Sequence, residues 1–196
     1  MDHKIIMGNT LFSIGERTFV MGILNVTPDS FSDGGSFNNI EKAITHAKQM
    51  IDEGADIIDI GGESTRPNHT VISVEEELRR VIPIIKVLYK TIKVPISIDT
   101  YKPEVMRQAI AAGAAIVNDI RALQEPSALE IVAQSNVGIC LMHMQGTPQT
   151  MQIEPHYIDV VSEVKQFLVD RVNAALMHGI ERNHILLDPG FGFGKT

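Results

Sequence analysis

Met21-Gly-Ile-Leu-Asn-Val-Thr-Pro-Asp-Ser-Phe-Ser-Asp-Gly-Gly35 is the stretch from which the fold can be read. The apolar run from Phe19 to Leu24 carries β-branched and aromatic residues and reads as a buried strand. It breaks at Asn25 into Thr-Pro-Asp-Ser and Asp-Gly-Gly, which fit only a loop. The strand therefore delivers Asn25 to its own carboxyl end. Beyond it the loop offers two carboxylates, three hydroxyls and one aromatic ring, a composition suited to closing over a polar ligand rather than to packing a core.

The same pattern recurs along the chain. Ile40 to Ile51 has helical spacing and stops at Glu53-Gly54; a second strand, Ala55 to Ile60, runs into the polar Gly61-Gly-Glu-Ser-Thr-Arg-Pro67. Ser73 with Glu76 three residues on is a capping signature for a helix over 74–91. Strands are expected at 95–99, 115–117, 138–142 and 185–187, with intervening helices from Pro103 to Gly113, over 126–134 and over 158–178. Upstream, Ile5 to Ile14 alternates around Gly8-Asn9 and reads as a β-hairpin covering one end of the fold.

Six short strands, expected to be buried on both faces, alternate with helices. That demands parallel pairing through right-handed crossovers, in either a doubly wound sheet or a (β/α)₈ barrel. No Gly-x-Gly-x-x-Gly follows the first strand, which disfavours the dinucleotide-binding form. Asn25, Asp59, Asp99, Asn118, His143 and Asp188 end, or nearly end, the six strands, and barrel enzymes assemble their sites at that face. The expected fold is an α/β (TIM-type) barrel represented by about six βα units, with an N-terminal β-hairpin, in one domain over residues 1–196.

Composition narrows the function. With 196 residues and 44% hydrophobic content the chain can bury a sizeable core. A formal charge of -7 without a basic cluster argues against a nucleic-acid partner. No membrane span or signal-peptide pattern is found, so a cytoplasmic location and small-molecule chemistry are expected. The lone Cys140 lies in the apolar run 137–142 and is expected to be a buried structural thiol.

Any one Asp, Asn or Ser after a strand is an ordinary turn or cap residue. Taken as a set, Asp99, Asn118 and Asp188 suit a flat heterocycle with adjacent N–H groups, guanine-like or pterin-like, because Asn can donate and accept while a carboxylate can only accept. Arg66, with Asn25, Ser64 and Thr65, suits a phosphate or pyrophosphate with a divalent cation, the bland alternative being a solvated Arg-Pro turn. The tail Gly190-Phe-Gly-Phe-Gly-Lys-Thr196 misses the P-loop pattern by one residue, since Pro189 stands where its first glycine belongs. It reads as a tight loop carrying Phe191 toward the mouth. His143 has no second His or Cys at ligand spacing and is expected to pack or hydrogen-bond.

Together, Asn25 to Gly35, Asp59-Ile-Gly-Gly-Glu-Ser-Thr-Arg-Pro67 and Asp188-Pro-Gly-Phe-Gly-Phe-Gly-Lys195 resemble the signatures of the dihydropteroate synthase family. Ile98-Asp-Thr100, Asn118-Asp-Ile-Arg121 and Leu141-Met-His-Met-Gln-Gly146 fit it in the same order. The resemblance implies a folate-pathway (β/α)₈ enzyme, inhibited by sulfonamides, that joins 6-hydroxymethyl-7,8-dihydropterin pyrophosphate to p-aminobenzoate. By position it implies that Asp99, Asn118 and Asp188 hold the pterin, with Met142 and Phe191 shaping its pocket. Asn25 would bind Mg²⁺ and pyrophosphate with Thr65 and Arg66, while Phe31, Ser32 and Asp33 would serve the p-aminobenzoate pocket. Asn25, Asp33 and Arg66 are the expected catalytic residues.

The family has eight strands and six are counted here, so its Ser-Arg-Lys and Arg-x-His motifs do not occur. A fragment of a longer chain or a domain-swapped one, inactive alone, is the expectation, with a homodimer for the full-length protein. The alternatives are a pterin-binding module without synthase chemistry, like the methyltetrahydrofolate-binding barrels, and a non-catalytic fragment.

Overall fold

The computed structural model describes residues 3–27, 36–64 and 70–195. Two antiparallel strands, β1 (His3–Met7) and β2 (Thr10–Ile14), form a hairpin turned at Gly8-Asn9, with Met7 opposite Thr10. Six parallel strands follow: β3 (Met21–Asn25), β4 (Ile57–Gly61), β5 (Ile96–Asp99), β6 (Ile116–Asp119), β7 (Gly138–Met142) and β8 (Ile185–Asp188). They pair in chain order, each with the next. A doubly wound sheet reverses its strand order at a switch point, whereas this sheet never does, so it is an arc of a (β/α) barrel.

The crossovers are α1 (Ser36–Asp52), α2 (Val74–Thr91), α3 (Pro103–Ala112), α4 (Ala128–Ala133) and α5 (Val160–Met177). Local chemistry explains their ends. Ser73 caps α2 by accepting from the Glu76 N–H at 3.2 Å, and Glu75, Glu76 and Glu77 complement the helix dipole in its first turn. Only that half of the expected capping box appears among the described hydrogen bonds, because the Glu76 carboxylate is held by Arg79 and Arg80. Pro103 opens α3, and Gly113 closes it in a left-handed conformation. α4 is shorter than the expected 126–134 because Ser127 is left-handed (φ 70°) and cannot continue a helix backwards.

The strands alternate strictly. Ile58, Ile60, Ile96, Ile98, Val117, Ile139 and Leu141 face outward into the main core with Val81, Ile84, Ile85 and Leu88 of α2. That packed face carries α2 unbroken through Pro83. The inner face holds the polar residues. At its amino end Met7 and Phe12 of the hairpin pack on Ile57 and Ile116, and a Cβ on Gly138 would fall 1.9 Å from the Met7 sulfur. The hairpin thus plugs the amino end, opposite the mouth.

Burial on both faces does not hold throughout. Ile23 on β3 is 52% exposed and Leu187 on β8 is 50% exposed, because these are the two edge strands of the arc. A largely apolar groove of about 740 Å³ runs between α5 and β8, lined by Val161, Val164, Leu168, Leu187 and Phe191. Among the described residues no helix covers the outer face of β8. No described helix is long and apolar enough to cross a membrane.

Candidate functional site

Register brings the strand-end residues together. Asn25 pairs with Gly61, Gly61 with Asp99, Asp99 with Asn118 and Asn118 with Cys140, so one row crosses five strands. Met142 pairs with Asp188 at the far side. In the middle of the row Gly61 leaves a gap: the point where its Cβ would stand lies 3.4 Å from Asn25 Oδ1 and 3.5 Å from Asp99 Oδ2. A side chain there would fill the approach between these two oxygens.

Charge defines the site more sharply than shape. Asp99 is only partly exposed, and its carboxylate has no hydrogen-bond partner among the described residues. Burial pushes its carboxyl well above the usual range, helped by the charges of Asp59, Asp119, Glu77 and Glu63. Cys140, in the same row, is pushed up to about 12 by burial and then by Asp188, Asp59, Asp99 and Asp119. Of these acids Glu63 and Glu77 are balanced by Lys102, Asp119 by two backbone N–H groups, Asp188 by the Gly190 N–H and Asp59 by the Asn118 amide, which leaves Asp99 as the one without a described donor. Cys140 is half-buried rather than buried, because it faces the open interior of the arc rather than the helices.

Each of these groups is braced from behind. Asn118 donates from Nδ2 to Asp59 Oδ2 at 3.1 Å. The loop after β6 places Ala122 (φ 51°) and Leu123 (φ 57°) in the left-handed region. It is held there by Asp119, which accepts from the N–H groups of Arg121 and Leu123, and by Arg171, which donates to the carbonyls of Ala122 and Leu123. Asp188 accepts from the Gly190 N–H at 2.7 Å, which leaves its second oxygen for other partners. His143 packs edge-on against Phe167 and accepts at Nδ1 from Lys195 Nζ at 2.8 Å, which makes it a neutral packing histidine. Its pKa is lowered by burial and by the Lys195 charge.

Sequence reasoning missed a buried ion cluster beside this row. Lys102 donates to Glu63 and Glu77, each at 2.6 Å, and to the Ile72 carbonyl at 2.9 Å; the Tyr101 hydroxyl donates to Glu63 at 3.3 Å. One ammonium thus ties the first residues after β4 to the entrance of α2 and the loop after β5. The signal was Glu77, a charge spaced four and eight residues from Val81 and Ile85 on the apolar stripe of its helix.

Not every expected residue joins the row. Met142 is 4% exposed on the inner face beside Asp188. Phe191 is 88% exposed and lines the α5 groove, so the expectation that it faces the mouth is corrected. The turn at Gly190 (φ 70°) and Gly192 (φ 84°), closed by the Phe193 N–H to the Gly190 carbonyl, projects it outward. Phe31, Ser32, Asp33, Thr65 and Arg66 lie outside the described residues. Among the described residues no cluster of three or more His, Cys, Asp or Glu could hold a metal ion. Asn25, an exposed carboxamide at the rim, could supply one oxygen to a hard cation that keeps waters and phosphate oxygens as its other ligands.

The chain is 55% identical over 177 residues to a dihydropteroate synthase of Escherichia coli, covering 90% of this chain and 63% of that protein. The chain thus spans less than two thirds of that relative's length. Its structure superposes on dihydropteroate synthase from Yersinia pestis with a sulfonamide drug complex, with a TM-score of 0.91 and 47% identity over 98% of this chain and 70% of that one. The Xanthomonas albilineans dihydropteroate synthase with 4-aminobenzoic acid gives 0.91 and 52% identity, over 100% of this chain and 69% of that one. The family model described as pterin binding enzyme matches residues 21–196, the whole run from the first barrel strand onward, and the chain belongs to that family.

Proposed function

We propose that this chain carries the pterin site and the pyrophosphate-binding strand ends of a dihydropteroate synthase. The reaction condenses 6-hydroxymethyl-7,8-dihydropterin pyrophosphate with p-aminobenzoate, giving 7,8-dihydropteroate and pyrophosphate in folate biosynthesis. The observation that carries this reading is the Asp99 carboxylate, free of described partners and beside Asn118 in the register row, with Asp188 ending the last strand on the same face. A pterin edge supplies the missing donors, and protein carboxylates that accept from it recover their desolvation cost.

In this reading Asp99, Asn118 and Asp188 orient the ring, and Met142 shapes its surroundings. Asn25, Thr65 and Arg66 hold the pyrophosphate, while Phe31, Ser32 and Asp33 receive p-aminobenzoate. The carbon–oxygen bond of the methylene breaks as pyrophosphate leaves, the amine nitrogen bonds to that carbon, and the amine then loses a proton. Arg66 stabilises charge on the departing oxygens. Mg²⁺ bound near Asn25 would supply further neutralisation of the pyrophosphate. Exclusion of water by the loops protects the electrophilic carbon from hydrolysis. A cytoplasmic homodimer is the setting we assign to the full-length protein.

Calorimetric titration with the pterin pyrophosphate tests this. Binding that requires Mg²⁺ is expected, and an absence of binding with the metal present defeats the assignment. Arg66→Ala distinguishes synthase from a simple pterin-binding module: a full-length enzyme whose turnover ignores that change is not using pyrophosphate departure.

A further inference from the structure

Asp59 is the most deeply buried acid on the inner face, 2% exposed, and it has no part in the binding scheme above. It lies on β4 with Ser97 of β5 as its register partner, one step below the row that holds Asp99 and Asn118. Its Oδ2 accepts from Asn118 Nδ2 at 3.1 Å. Its Oδ1 and the Ser97 hydroxyl are both buried outside hydrogen-bond geometry, though Ser97 lies near enough to oppose the upward push of burial on the Asp59 carboxyl.

We propose that Asp59 is a positioning residue that fixes the Asn118 amide with its nitrogen toward the sheet and its carbonyl oxygen toward the mouth. The site then selects a heterocycle that offers an exocyclic N–H donor there. The inference rests on the pterin reading and deepens it by naming what enforces the choice of ring.

An isolated asparagine amide has no polarity preference, since a flip exchanges one acceptor for donors at almost no steric cost. Asp59 removes that freedom. An ionised carboxylate only accepts, so a flipped amide would press its oxygen against Oδ2 of a side chain that is only 2% exposed. The preference belongs to the ionised carboxylate, toward which the Ser97 hydroxyl and the Asn118 amide pull Asp59 against the effect of burial. The Asn118 side chain has no other hydrogen bond among the described residues, so this one contact sets its orientation. With its oxygen presented outward, Asn118 rewards a 2-amino pteridine and meets a 2-oxo pteridine with two facing oxygens.

The test compares 6-hydroxymethylpterin with 6-hydroxymethyl-lumazine, in which a 2-oxo group replaces the 2-amino group. Binding is measured to the full-length protein and to Asp59→Asn, Asn118→Ala and the double variant. Wild type is expected to prefer the pterin by roughly a hundredfold or more. Asp59→Asn should cut that preference by about tenfold or more, since the introduced amide can face either orientation of Asn118. In the Asn118→Ala background the same change should move the preference less than about twofold. A preference untouched by Asp59→Asn, or changed equally in both backgrounds, overturns the proposal. Wild type binding neither compound overturns the pterin reading itself, which is a different result. A readout independent of any Asp59 variant is the Asn118 side-chain amide resonance in wild type, identified by its loss in Asn118→Ala. Slow solvent exchange is expected, and exchange at the rate of a free amide overturns the proposal.

Discussion

Lys102 and Glu77, 25 residues apart in the chain, meet at 2.6 Å with side chains only 10% and 1% exposed. Glu63 binds the same ammonium from a third segment, also at 2.6 Å. Removing the cation strands two buried carboxylates, the costly way to break such a cluster. Lys102→Met is expected to destabilise the fold by about 3–5 kcal/mol, measured by urea unfolding. Adding Glu63→Gln and Glu77→Gln should restore at least half of that loss, because neutral amides carry no unbalanced charge.

Gly190 stands so close to the His143 carbonyl that a Cβ would fall 2.0 Å from its oxygen, at a φ of +70°. Gly192 is also left-handed, at φ +84°, but a Cβ there meets nothing within 4 Å. The pair separates crowding from backbone strain. Gly192→Ala is expected to cost about 1 kcal/mol and Gly190→Ala about 3 kcal/mol or more, read from denaturant midpoints.

The stability of the protein should peak in mildly acidic solution. Burial pushes the Asp119 carboxyl from 3.8 up to about 6, against hydrogen bonds from the Arg121 and Leu123 N–H groups. A carboxyl that holds its proton more tightly when folded favours the fold below pH 3.8, and that contribution is lost as pH rises through about 6. Asp59 and Asp99 shift in the same direction. Asp56, hydrogen-bonded by Arg17, and Glu76, by Arg79 and Arg80, go the other way, to about 2 each. Their contribution is present above 3.8 and 4.5 and is lost as pH falls toward 2. The thermal midpoint is expected to be highest near pH 4 and to decline from there to about pH 6, and Asp119→Asn should flatten that decline.

Cys140 should be slow toward thiol reagents although it is half-buried rather than sealed. Its thiol is pushed from 9 up to about 12 by burial and by the surrounding carboxylates, so the thiolate fraction at mildly alkaline pH is about a thousandfold below that of an ordinary cysteine. Disulfide-exchange dye should label it only after unfolding. Asp188→Asn, which removes the largest of those carboxylate effects, should speed labelling of the native protein.

The sequence alone determined the alternation of strands and helices, because each step rests on local chemistry: apolar runs broken at polar ends, Ser73 as a cap, Pro103 and Gly113 as start and stop. It also determined which residues end the strands, and so that Asn25, Asp99 and Asn118 share a face. Only the tertiary structure decided what stands behind them. Lys102 meets Glu63 and Glu77, and Asp59 meets Asn118 across 59 positions. Such pairs have no local pattern, since they exist only once parallel register has set one strand beside the next. Phe191 was misjudged for a related reason: composition says that an aromatic follows Asp188, but the direction it takes is set by the backbone angles at Gly190 and Gly192.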